Sequence, residues 1–217
     1  FRALVEAITE AVGDSDVGAT EAAEDIEVDG EPIPERLKQA IANIGENINF
    51  RRLDRLSVDE GTVGSYIHAG SQIGVIVAVT ASDESDDDVE SFARDVAMHI
   101  AAMDPPYVSA ADISEEDREA KEEIFAAQMK DEGKPEHIIP QIVEGKIDKW
   151  ESESCLLQQP FVKDSEQTVG ELQDEIGDVE IREFIRYEVG EGIEDEEDED
   201  FAEEVTEMAE SARENES

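Results

Sequence analysis

Val63-Gly64-Ser65-Tyr66-Ile67-His68-Ala69-Gly70-Ser71-Gln72-Ile73-Gly74-Val75-Ile76-Val77-Ala78 is the stretch whose reading decides the fold. Two apolar runs flank a turn containing Gly70, the pattern of a β-hairpin. In the second run Ile73, Val75, Val77 and Val79 fall on one side, and Gly74, Ile76 and Ala78 on the other. A strand apolar on both sides is expected at the centre of a sheet, covered twice. Just beyond it, Val89, Phe92, Ala93, Val96, Ala97, Ile100 and Ala101 recur at helical spacing, and Pro105 and Pro106 end the run.

Upstream, residues 2–12 read as a helix with Leu4, Val5, Ile8 and Val12 on one side. Residues 13–30 are polar and acidic and read as a loop. Pro34 suits the first turn of a second helix, whose stripe is Ile33, Leu37, Ile41 and Ile44, with Gly45 ending it. Residues 48–56 are expected as a strand.

Downstream, Ser114 followed by Glu115, Glu116 and Asp117 is a helix start, because a serine cap and early acids complement the helix dipole. Ile124, Phe125 and Met129 form a narrow apolar seam, broken by Gly133-Lys134-Pro135. A second seam uses Ile138, Ile142, Val143, Ile147 and Trp150, so the pair reads as an antiparallel helical hairpin projecting from the body. Pro140 should kink the second helix or mark its start. Residues 168–176 suggest a short helix. Val179, Ile181, Ile185, Tyr187 and Val189 alternate with polar residues as in a half-exposed strand. A last helix is expected at about 198–213, with Phe201, Val205, Met208, Ala209 and Ala212 on one face.

Composition narrows the partners. The chain has 217 residues, with 17 Lys and Arg against 60 Asp and Glu, a net charge of −43. Nucleic-acid binding needs a basic patch; only Arg51, Arg52 and Arg55 cluster, and nearby carboxylates are their expected partners. No apolar run approaches the roughly 20 residues of a membrane-spanning helix. A single cysteine, Cys155, allows no internal disulfide and fits a reducing cytoplasm. Such a charge repels itself. The acids are spread along the chain, with runs at 83–90 and 194–204, which favours a surface adapted to high salt over a local acidic tail.

Enzymatic signatures are missing from the sequence. No phosphate-cradling GxxxxGK[ST] occurs, and Gly190-Glu191-Gly192-Ile193-Glu194-Asp195 departs from GxGxxG. His68, His99 and His137 are far apart, and Cys155 lacks the local pattern of a nucleophile. The acidic run at 83–88 lacks the turn glycine and final glutamate of a calcium loop. No cofactor or metal is expected.

Several segments instead match one family in order. They are Ile44-Gly45-Glu46-Asn47-Ile48-Asn49-Phe50-Arg51-Arg52, the quoted hairpin, and Val96-Ala97-Met98-His99-Ile100-Ala101-Ala102 with Pro105. Further on come Val143-Glu144-Gly145-Lys146, Gln159-Pro160-Phe161-Val162 and Thr168-Val169-Gly170. The last is Phe184-Ile185-Arg186-Tyr187-Glu188-Val189-Gly190-Glu191-Gly192-Ile193. Together they resemble bacterial elongation factor Ts along nearly the whole chain.

The resemblance implies an α+β fold of two related subdomains, each a small antiparallel sheet covered by helices, with an inserted helical hairpin (a coiled coil). On this reading residues 1–103 form an N-terminal subdomain, incomplete at its start. Residues 104–217 form a second, with the hairpin at about 109–150. The family is a guanine nucleotide exchange factor for elongation factor Tu. In it a helical domain and a Thr-Asp-Phe-Val segment precede the point that aligns with Phe1, so the chain reads as an N-terminally truncated factor.

Partner contacts implied by the resemblance are Ile44, Gly45, Glu46 and Asn47, then His68, then Phe201, Val205 and Met208. Each also has a plainer reading: helix capping for the first four, an exposed turn for His68, and packing on the parent core for the last three. His99 reads as a packed histidine, and Tyr66 and Phe161 as core. A homodimer stays open. The competing reading is an acidic scaffold of the same fold without exchange activity.

Overall fold

A computed structural model describes residues 1–15, 26–82 and 87–192. Within them the order is α1 (Arg2–Gly13), β1 (Glu27–Val28), β2 (Glu31–Pro32), α2 (Ile33–Ile44), β3 (Gly61–Ile67), β4 (Ile73–Ala81) and α3 (Asp87–Met103). Then come α4 (Glu115–Asp131), α5 (Ile139–Ser154), β5 (Pro160–Phe161), β6 (Asp164–Thr168), α6 (Val169–Ile176) and β7 (Val179–Glu188). The fold is α+β. Chain contacts define one compact unit at residues 1–186 and another at 187–217, of which only 187–192 are described.

The quoted hairpin forms with Gly61 opposite Thr80 and Ile67 opposite Gly74, and β4 lies between β3 and β7. Val75, Val77 and Val79 bury one face against Val89, Phe92, Ala93, Val96 and Ile100 of α3, joined by Leu156, Phe161, Val169 and Ile181. One glycine sets how closely α3 can approach. A Cβ at Gly64 would stand 2.5 Å from the Ala93 carbonyl carbon and 2.7 Å from its Cβ. The opposite face is covered only in part: Ala78 is buried, yet Ser65 is exposed and Ile67 is 71% exposed.

A smaller cluster joins Ile8 and Val12 of α1 to Ile26, Val28, Ile33 and Leu53. Its helix stripe is Leu4, Ile8, Ala11 and Val12, so Val5 falls on the flank and stays exposed. The end of the expected loop, 27–30, forms a small hairpin with Glu31 and Pro32. Asp29 and Gly30 both take positive φ, 55° and 82°, the backbone that an Asp-Gly turn supplies. Residues 48–56 carry no strand beyond a bridge at Asp54. Phe50, Leu53 and Leu56 recur every third residue, which suits an extended segment laid on a core better than a ladder of period two.

The helical hairpin has its own cluster, Met129, Ile139, Val143 and Ile147, with Phe125, Ile142 and Trp150 packed on it. Ser114 caps α4 by accepting the Asp117 N–H at 3.0 Å. Pro140 sits in the first turn of α5, where its missing N–H costs nothing. Lys121 lies 5.4 Å from the Trp150 ring centre, and Lys146 lies 5.3 Å from that of Phe125. Thr168 and Glu171 close a reciprocal cap on α6. In β7 the regular alternation breaks: Ile181 is buried, but Phe184 rather than Ile185 packs against the main core. The helix expected at 198–213 lies outside the described residues.

Candidate functional site

His68 stands in the hairpin turn. Its N–H donates to the Ile73 carbonyl at 2.9 Å, and its own carbonyl accepts the Ser71 N–H at 2.9 Å. The backbone is thereby fixed while the imidazole stays exposed, with Nδ1 3.4 Å from the Tyr66 hydroxyl. Behind it opens a groove of about 420 Å³, walled by Tyr66, Ile73, Met98, Ala101 and Val162, with His68 and Lys163 at the polar edge. Ile67, next to His68, is 71% exposed, and Met103 and Val162 are each 46% exposed.

The groove joins segments distant in sequence, and His99 ties them. It is fully buried on α3, with Nε2 2.9 Å from Gln159 Oε1. Its Nδ1 accepts the Val162 N–H at 3.2 Å. Burial lowers the imidazole pKa from its usual 6.5, and the Gln159 hydrogen bond opposes this more weakly. Lys163 Nζ reaches Asp95, also on α3, at 2.5 Å. Phe161 packs with its ring centre 5.9 Å from that of His99.

Ile44, Gly45, Glu46 and Asn47 form the exposed C-terminal end of α2. Gly45 takes φ 82° and donates its N–H to the Ile41 carbonyl at 2.8 Å, the left-handed cap expected of glycine there. Among the described residues no hydrogen bond or hydrophobic cluster joins this end to the His68 groove. The α2 helix belongs to the smaller cluster, the hairpin to the main one. Phe201, Val205 and Met208 lie outside the described residues.

A larger groove of about 810 Å³ opens elsewhere, lined by Asp59, Glu60, Asp178, Glu180 and Arg182 among others. It contains none of the candidate partner contacts, and it is polar and open. Among the described residues no group of three or more acidic, His or Cys side chains is arranged to hold a metal ion. Cys155 is fully buried; burial first, then the charges of Glu151 and Asp112, raise its thiol pKa and keep it protonated. No helix of the described residues is long and apolar enough to cross a membrane.

Sequence reasoning missed Met98, Val162 and Lys163 as neighbours of His68. Met98 and Val162 lie within quoted segments, but nothing in their spacing brings those segments together. What the arrangement presents is a largely apolar groove edged by His68 and by the ion-paired Lys163, suited to holding part of another macromolecule.

The chain matches the family described as Elongation factor TS over residues 1–191. Elongation factor Ts of Halothermothrix orenii is 47% identical over 211 residues, covering 94% of this chain and 68% of the relative. That of Clostridium perfringens strain SM101 is 43% identical over 207 residues, covering 93% and 68%. That of Halorhodospira halophila is 42% identical over 205 residues, covering 94% and 67%. Such agreement defines the class first, a translation elongation factor. The chain belongs to the elongation factor Ts family.

Proposed function

We propose that this chain is a guanine nucleotide exchange factor that binds elongation factor Tu and promotes release of its GDP. Family membership along residues 1–191 is the observation that carries this reading. The groove beside His68 adds to it, since three of the quoted segments line one surface. Contacts on this reading are Ile44, Gly45, Glu46, Asn47 and His68, with Phe201, Val205 and Met208 outside the described residues. The two-subdomain division at about residue 103 and a cytoplasmic location belong to the same reading.

Exchange needs no covalent step. A factor that weakens nucleotide binding is itself weakened by nucleotide to the same extent, because the coupling free energy is reciprocal. Each 1.4 kcal/mol by which the ternary complex lowers the release barrier gives about tenfold in rate.

The test is calorimetric titration of the chain into nucleotide-free elongation factor Tu, repeated with saturating GDP. Tight binding that GDP weakens is expected. Equal affinity in both titrations would leave a scaffold without exchange activity, and no binding in either would remove the partner.

A further inference from the structure

Both ring nitrogens of buried His99 are held by one short piece of chain. Because Nδ1 accepts the Val162 N–H, it carries no proton, and Nε2–H donates to Gln159 Oε1. The Gln159 amide nitrogen donates to the Glu153 carbonyl at 2.6 Å, which fixes the orientation of the Gln159 side chain. The neutral Nε2–H form is therefore the one that this cage accepts. Val162 and the adjacent Lys163 are wall residues of the groove beside His68.

We propose that His99 is an acid-sensitive positioning residue: neutral, it latches Val162 and Lys163 to α3, and protonated at Nδ1 it releases that wall of the groove. The role in exchange rests on the function proposed above; the latch itself does not.

The charged groups around the ring are few. Asp95 on α3 and Lys163 beyond β5 pair with each other. Glu153 at the end of α5 offers Gln159 its carbonyl, while its carboxylate pairs with Lys149 at 3.5 Å. Neither nitrogen of His99 bonds a carboxylate, so a buried imidazolium would face the Val162 N–H with no counter-charge.

The direction follows by linkage. Released, the ring titrates near its ordinary 6.5; latched, it titrates lower. The latch is fully favoured above 6.5 and loses ground as pH falls, by about tenfold per pH unit until the latched value is reached.

The experiment is NMR on the whole chain. Above pH 6.5 the imidazole nitrogen shifts should report an unprotonated Nδ1. Between 6.5 and the latched value, the hydrogen-exchange protection of the Val162 amide, corrected for intrinsic rates, should fall by up to about tenfold per pH unit, while the Val96 amide within α3 stays protected. His99→Asn places a side-chain carbonyl near the Nδ1 position and cannot titrate, so Val162 protection should become independent of pH. His99→Gln leaves the Val162 N–H unpaired, so protection should be low throughout.

Protonated Nδ1 above pH 6.5, or wild-type Val162 protection that ignores pH, would overturn the latch. The rate of GDP release with wild type divided by that with His99→Asn, each on elongation factor Tu, should fall with pH. A constant ratio would overturn the positioning role. Inactivity of both at every pH would count against the exchange function instead, because the NMR readouts decide the latch on the chain alone.

Discussion

Replacing Gly64 with alanine should destabilise the main unit far more than the same change at Gly74, the other glycine of its sheet with unstrained φ. The new Cβ would stand 2.5, 2.6 and 2.7 Å from the carbonyl carbon, carbonyl oxygen and Cβ of Ala93. Ordinary contact begins at 3.4 Å, so the closest pair needs about 0.9 Å of relief. No flexible side chain can yield it. Either α3 lifts from β3 or the strand bends, and both loosen the packing of Val89, Phe92 and Val96 on β4. Overpacking of this kind costs about 1–3 kcal/mol, and a backbone-to-backbone clash belongs at the upper end. About 3 kcal/mol is a hundredfold or so in the folding equilibrium and about 6–12 °C in midpoint. Urea denaturation followed by circular dichroism measures it. Gly74→Ala is the control, because that Cβ would meet nothing within 4 Å and the position has no positive φ. A Gly64→Ala protein within about 0.5 kcal/mol of wild type would refute the seating of α3 on this glycine.

The remaining predictions follow from particular positions. Gly145→Ala should stabilise the helical hairpin by about 0.5–1 kcal/mol, because it sits inside α5 with open space where its Cβ would go; denaturant midpoints would register the gain. Thr168→Ala should cost about 1 kcal/mol, since it removes the hydroxyl that accepts the Glu171 N–H at 3.1 Å; the same titration measures the loss. With a net charge of −43, the melting temperature should climb between low and molar salt as the screening length shrinks from about 10 to about 3 Å. A flat profile would remove the salt-adapted reading of the surface.

Periodicity made the main core legible because its elements are strongly patterned. The hairpin at 63–78 alternates, and α3 places Val89, Phe92, Val96 and Ile100 on one side, so each element announces its buried face. Caps were equally plain at Ser114 and Gly45, where short-range chemistry decides the geometry. The pattern failed where buried residues obey neither period. Leu53 is held by a segment without a ladder, and Phe184 enters the core after a break in alternation that single-residue hydrophobicity does not mark. The β1–β2 turn was readable from Asp29-Gly30 but was hidden by the acidic residues before it.

The site was less legible than the fold. His68 could be singled out through the resemblance, and the turn exposes it. The groove behind it depends on Gln159 and Val162 reaching His99 across 60 and 63 residues of sequence. No local pattern encodes a meeting between a histidine in one helix and the backbone of a remote turn just after β5.

The central claim is tested most directly by the release of fluorescent GDP from elongation factor Tu of the same source, with and without this chain, in molar salt. The account predicts that the chain accelerates release and that His68→Ala weakens the acceleration. Release at the spontaneous rate, with no binding to nucleotide-free elongation factor Tu, would contradict it.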